Sequence, residues 1–430
     1  MKNKANTAQK MGFFSLILFG INAIIGSGIF LLPSSGMKLF GPASILVLLF
    51  DGALAFLIAM CFAECASYFK QTGGAYIYAK EAFGNFVGYE VGFVTWAIRI
   101  IAEATMYVAF ATALAGTFPS LATPVAKNTV ITILFISLAV LNIAGVRITT
   151  LISNIVTVGK LVPIFLIIIC GLFFIKPAHF DPFFVEKLTT TPHFAAAAIT
   201  LFYIFTGFEA IVITAGEMEN VKKNLPRALL ISLGTVVVIY ALVMVVSIGV
   251  LGDKLAISTV PLKDTFQVIA GNFGTNLISF GTLLSIGGIC VASSFITPRS
   301  GVALAESKMM PAILAKKNKH DAPVVAIIAS SSISLIIAFS GSFSVLAQIS
   351  AVSRFAQFIP TIIAVLVFRK TKKDVEHSFR VPFGPVIPVL ALAVSGWLLW
   401  HVDMKSLTWG LGALVIAVPF YFLTKSSRKA

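Results

Sequence analysis

From Met11 to Pro33 the chain carries no charged residue. As a helix that run extends roughly 34 Å at 1.5 Å per residue, enough to cross the hydrocarbon core of a bilayer. Eleven further predominantly apolar runs follow, near 42–68, 87–116, 129–146, 151–175, 194–217, 228–252, 274–305, 323–340, 343–368, 385–401 and 407–424. Only 11% of the 430 residues are charged and 58% are hydrophobic, whereas about a quarter of an ordinary soluble domain is charged. An all-α polytopic membrane protein with 12 transmembrane helices is therefore expected. The first run is too long for a secretory leader and lacks an A-x-A-like site, so it is read as an uncleaved first span.

The formal net charge of +15 does not point to nucleic acid, because the basic residues are scattered between apolar runs and form no single face. Their distribution follows the positive-inside bias. With the N-terminus inside, 21 of the lysines and arginines fall in inside segments and seven outside. This places both tails, 1–12 and 425–430, on the cytoplasmic side of a plasma membrane. Arg99, Lys160, Arg299 and Arg354 remain within spans, where an ionisable residue is a functional candidate. The cysteines Cys61, Cys65, Cys170 and Cys290 lie in apolar runs without metal-ligand spacing and read as small core residues. The five histidines fall in loops or at span ends, and no G-x-x-x-x-G-K-[ST] loop occurs. No metal, no cofactor, no enzyme chemistry and no ATP-driven pumping are expected.

Within the first run, Ile24-Ile25-Gly26-Ser27-Gly28-Ile29-Phe30 is unusual. Small residues of this kind either let another helix pack closely or break the helix, and hydrocarbon offers no partner for backbone groups freed by a break. The sixth run has a similar interruption, Thr200 to Ala210, in which Gly207 stands beside Glu209. Two interrupted spans in corresponding positions, five spans apart, indicate an inverted repeat and a binding site near the membrane midplane. In the fifth run Thr150, Ser153, Asn154, Thr157 and Lys160 share one arc of a helix, and Lys160 lies about 13 Å into the membrane. Arg99 and Glu103 are spaced i,i+4 and are expected to pair with each other. Asp51 and Arg354 lie at similar depth, where they could pair across helices. The stretch 70–84, rich in glycine and tyrosine, is expected at the inner interface.

Several stretches in order resemble the amino acid–polyamine–organocation superfamily. They are G-S-G-I-F from Gly26, A-E-C-A-S-Y-F through G-G-A-Y-I-Y-A-K-E-A-F-G between Ala63 and Gly84, F-T-G-F-E from Phe205, E-M-E-N-V-K-K-N-L-P-R-A from Glu217, and T-P-R-S-G-V-A-L-A-E-S-K-M-M-P from Thr297. Ser307-Lys308 departs from the acidic-glycine pair frequent in that family, which bears on the cytoplasmic gate. The resemblance implies a LeuT-type 5+5 inverted repeat with helices 1 and 6 broken, the two repeats at 13–175 and 194–368 and a further helix pair at 385–424. Family members transport amino acids or related amines by exchange or proton coupling.

In such a fold the N–H groups of Ser27, Gly28 and Ile29 at the first break hold a substrate carboxylate, with Gly26 and Gly28 keeping the backbone bare. The carbonyls of Tyr203, Ile204 and Phe205 next to Gly207, with those of Ala23 and Ile24, receive the α-ammonium group. Phe208 either faces the substrate side chain or packs in the core. The resemblance puts Lys160 where sodium-coupled relatives hold a cation, with Ser293 and Thr297 as partners, which implies sodium independence. Glu209 is either a proton carrier or a permanently ionised carboxylate. The expected partners are an amino acid, the lipid bilayer and protons. A small or neutral amino acid is favoured as substrate over a cationic one or a polyamine, and an ion channel is the rival from another class.

Overall fold

The computed structural model describes residues 12–69, 74–145, 150–213, 220–372 and 379–423, and every regular element among them is helical. In chain order the α-helices are α1 (Phe13–Ile24), α2 (Gly28–Leu31), α3 (Pro33–Phe40), α4 (Ser44–Tyr68), α5 (Ala75–Phe83), α6 (Asn85–Thr117), α7 (Pro124–Ile143) and α8 (Thr150–Gly171). Then follow α9 (Thr191–Phe202), α10 (Glu209–Ile213), α11 (Val221–Leu251), α12 (Pro261–Glu306), α13 (Val324–Ala338), α14 (Phe343–Thr371), α15 (Val386–Trp400) and α16 (Met404–Leu423). Seven helical stretches among the described residues are long and apolar enough to cross a membrane, and five shorter apolar ones accompany them. This is a polytopic, all-helical membrane protein. Apart from Gly12, the expected tails lie outside the described residues. So do Lys70, Arg147, Lys373, the Glu217–Glu219 part of one motif and the side chains of Thr150, Ser153, Asn154 and Thr157.

Several helices start earlier than their apolar runs suggest, α7, α11 and α12 by five residues or more. The α7 helix begins at Pro124, not at 129, because the Thr123 hydroxyl accepts the Ala126 N–H at 3.3 Å and proline fits the first turn. The α12 helix begins at Pro261, not at 274, and is really two segments. Ala270 and Gly271 leave helical geometry, Gly271 at φ 58°, so a short capping helix precedes the long apolar one.

Burial sorts inner helices from outer ones. In the most apolar windows, 67% of α6 and of α14 is buried against only 11% of α7 and 17% of α16. The inner set, α1, α4, α6, α8, α11, α12 and α14, is mutually packed, with α7, α13, α15 and α16 around it. Small residues set the spacing: a Cβ on Gly281 would lie 2.3 Å from the Pro163 ring, and one on Gly159 would lie 2.6 Å from Leu284. The α8 and α12 backbones therefore approach closely, and Lys160, next to Gly159, is pushed toward α1. At another end of the bundle, Glu64 on α4 takes Arg369 of α14 in two bonds of 2.6 Å, and the Val381 N–H donates to the same carboxylate at 2.7 Å. The α5 helix lies beside α6 and α14 and buries Ala75, Tyr78 and Ala79.

Candidate functional site

The two interruptions meet. The α1 helix ends at Ile24, and Ile25 is extended at φ −70° and ψ 100°. Opposite it, α9 tightens through a 3-10 turn, Tyr203–Phe205, before Thr206 extends at ψ 150° and Gly207 adopts φ 113°. A Cβ on Gly207 would sit 2.3 Å from the Ala23 carbonyl oxygen, so both its conformation and its neighbour demand glycine. Gly28 lies under Ile204 and the Tyr203 ring, with 2.8 and 3.0 Å to a would-be Cβ, while Gly26 has open space around it. The Tyr203 hydroxyl is 3.4 Å from that of Ser27.

Around this crossing is a cavity of about 440 Å³, reached by α1, α6, α8, α10, α12 and α14. Ala23, Ile24, Gly26, Gly28, Tyr203, Ile204, Gly207, Lys160, Glu209 and Ser293 line it. The N–H groups of Ser27, Gly28 and Ile29 make no hydrogen bond to any described residue, as befits the first turn of a helix whose predecessor has just ended.

Among the described residues, three cations and one anion line the cavity: Arg99, Lys160, Arg354 and Glu209. The Lys160 ammonium donates to the carbonyls of Asn22 at 2.5 Å and Ile25 at 2.8 Å, closing the C-terminal end of α1. That is the favoured place for a cation, since unpaired carbonyls give the end a partial negative charge. Glu209 opens α10: one carboxylate oxygen accepts the Gly207 N–H at 2.9 Å, the other the Arg354 guanidinium. Both are donors with nothing to accept, so a proton on Glu209 would find no acceptor there. Arg99 makes no hydrogen bond or ion pair to any described residue.

The amino acid permease family model matches residues 11–422. The chain belongs to the amino acid permease family. The permease is 32% identical to an uncharacterized transporter of Mycobacterium tuberculosis over 98% of this chain and 92% of that one. It is 28% identical to the serine/threonine exchanger SteT of Bacillus subtilis, over 98% of each chain. It is also 26% identical to the methylthioribose transporter of the same organism, over 98% of this chain and 94% of that one. A transporter, not an enzyme, is what these relationships indicate.

Several expectations for the permease need correction. Arg99 does not pair with Glu103: Glu103 is fully buried and takes the Tyr107 hydroxyl at 2.5 Å and the Ser334 hydroxyl at 3.2 Å. Local spacing allowed the Arg–Glu pair, but hydroxyls from α6 itself (Tyr107) and from α13 (Ser334) reach the carboxylate, while Arg99 lines the cavity. Asp51 does not pair with Arg354, which Glu209 has taken, and neither Asp51 oxygen has a partner among the described residues. Phe208 is shut away from the cavity, its ring 5.4 Å from Phe358 and 5.8 Å from Phe62. Phe205, Ser27 and Ile29 are buried and do not line the cavity. The Tyr203 carbonyl is taken by Thr206, through its N–H at 3.1 Å and its hydroxyl at 2.7 Å. The Ile24 carbonyl is taken by the Tyr240 hydroxyl at 3.2 Å. Lys160 makes no bond to Ser293 or Thr297, and Thr297 is instead buried beside Glu103.

Some lining residues were not singled out from the sequence. Gln357 stands three residues after Arg354 on α14, and Thr95 four before Arg99 on α6. Both pairs recur at helical spacing in apolar helices, which was the available signal. Arg299 sits elsewhere. It stacks on the Phe295 ring at 3.1 Å, beside a separate cavity with Glu306, Lys317 and Asp321.

Proposed function

We propose that the permease is a sodium-independent secondary transporter that carries an amino acid across the plasma membrane by alternating access. The reading has twelve spans with both tails cytoplasmic and two inverted repeats, 13–175 and 194–368. It is supported by the 21-to-seven asymmetry of basic residues and by interrupted helices in corresponding positions. The observation that carries it is the meeting of the two breaks beside a cavity with unpaired backbone groups. The N–H groups of Ser27, Gly28 and Ile29 receive the substrate carboxylate, and the carbonyls of Ile204, Phe205 and Ala23 its ammonium. Side chains contribute little to this part, so recognition of the α-groups is common to many amino acids.

Lys160 supplies an ammonium group at the end of α1, so no sodium ion is needed there. Glu209 stays ionised as the anchor of Arg354 and of the turn at Gly207. Its role is to hold the second break in shape, and exchange is the favoured cycle, as the name of the serine/threonine exchanger suggests for a relative. A cationic side chain or polyamine is disfavoured by a cavity with three cations and one anion. The deciding experiment is uptake of labelled amino acids into proteoliposomes, with the same compound inside or with a proton gradient across empty vesicles. Trans-stimulated, sodium-independent uptake is expected. Unsaturable ion conductance without exchange would replace this reading by a channel.

A further inference from the structure

We propose that Arg99 forms an anion subsite and that the permease transports acidic amino acids, with a side-chain carboxylate placed against Arg99. This rests on the transport reading and narrows its substrate class, away from the neutral one that the sequence favoured. Of the three cations around the cavity, two are already engaged. Lys160 is held by the Asn22 and Ile25 carbonyls and Arg354 by Glu209. Arg99 has neither a carboxylate nor a carbonyl among the described residues, although Glu103 lies one turn away on its own helix.

An arginine in that position needs an explanation. A guanidinium that is largely removed from solvent and has no partner in the protein is costly, and arginine does not give up its proton. The face of α6 that bears it, Thr95, Ile98, Ala102 and Met106, offers no acid, and the facing part of α12, Gly288 to Ser293, offers none either. Arg354 on α14 adds repulsion from a like charge and holds Glu209, the one carboxylate among the described lining residues. An occupant with a second carboxylate would satisfy Arg99 and bring the four-charge site, Arg99, Lys160, Arg354 and Glu209, closer to balance. A planar guanidinium also matches a carboxylate in two parallel bonds, which gives selectivity over a neutral side chain. Arg99 and the residues of both breaks line the same cavity, which puts the α-groups of the same molecule at the breaks and its side chain toward Arg99.

The test is counterflow in proteoliposomes with aspartate, glutamate, serine, leucine and arginine, on wild type, Arg99→Gln and Arg99→Lys. The expected result is exchange of aspartate or glutamate by wild type, inhibited poorly by arginine. In Arg99→Gln the preference for aspartate over serine should fall about 10- to 100-fold, the range for a lost charge-assisted hydrogen bond, and Arg99→Lys should restore part of it. Wild-type exchange of serine or leucine that aspartate and glutamate do not inhibit would overturn the subsite while leaving amino acid transport intact. Equal losses for aspartate and serine in Arg99→Gln would also overturn it, making Arg99 a structural cation. No exchange of any of the five would overturn both this inference and the transport reading. If Arg99→Gln fails to insert, wild-type selectivity and the Arg99→Lys ratio decide.

Discussion

At the scale of single residues, the two glycines of the breaks make opposite predictions. Gly207 has φ 113° and would push a Cβ against the Ala23 carbonyl, so Gly207→Ala is expected to cost about 2 kcal/mol or more. Thermal unfolding in detergent should show the loss, together with abolished uptake. Gly26 has open space and no positive φ, so Gly26→Ala should leave the melting temperature in place. The added methyl group intrudes on the cavity, and KM should rise about tenfold in the uptake assay. Glu209 and Arg354 form a pair whose members depend on each other. Removing the carboxylate in Glu209→Ala strands a buried guanidinium, a loss of about 3–5 kcal/mol. The double variant Glu209→Gln/Arg354→Met should recover part of the stability, and a double-mutant cycle on melting temperature measures the coupling. Residual uptake by Glu209→Gln should keep the wild-type pH profile, and a flattened profile would make Glu209 a proton carrier after all.

At the scale of elements, two contacts hold helices in register. Glu64 ties α4 to Arg369 of α14 and to the backbone at Val381, with a fully buried carboxylate and bonds of 2.6 to 2.7 Å. Arg369→Ala therefore leaves that carboxylate unpaired, and a loss of about 3–5 kcal/mol is expected in detergent unfolding, larger than for Arg369→Lys. Lys160 ties α8 to the end of α1. Lys160→Met preserves the bulk but leaves the Asn22 and Ile25 carbonyls without their donor, about 1–3 kcal/mol for each. Reduced stability and lost uptake should appear together. The spacing of both contacts comes from side-chain reach between helices, so a run of apolar letters carried the helices but not their ties. Lys160 stood out as a lone cation deep in a run, yet which carbonyls it would meet was not written in its own span. Arg99 misled for a related reason: i,i+4 spacing brought Glu103 within reach, but Tyr107 one turn further along α6 and Ser334 across on α13 take that carboxylate instead.

For the molecule as a whole, inner and outer helices divide the work. The broken pieces α1 to α2 and α9 to α10 sit among α6, α8, α12 and α14, while few residues of α7 and α16 are buried. Substrate movement should therefore change the surroundings of the inner set. Replacing sodium by choline in the uptake medium is expected to leave wild-type transport unchanged, because an ammonium already closes α1. Sodium-stimulated uptake would overturn the sodium-independent reading.

The amino-acid sequence by itself determined that the chain is a helical membrane protein, because hydrocarbon admits only segments whose backbone groups are satisfied internally, and such segments announce themselves as long apolar runs. It also marked where two of those segments would be interrupted, since glycine and small polar residues are conspicuous in an apolar run. The tertiary structure alone decided which charges met. Glu209 took Arg354 across 145 residues of chain, Lys160 reached back 138 residues to Asn22, and Arg99 was left facing the cavity. Pairing of buried charges depends on three-dimensional approach to within a few ångströms, and helical periodicity fixes a side chain's direction on its own helix without saying what stands opposite.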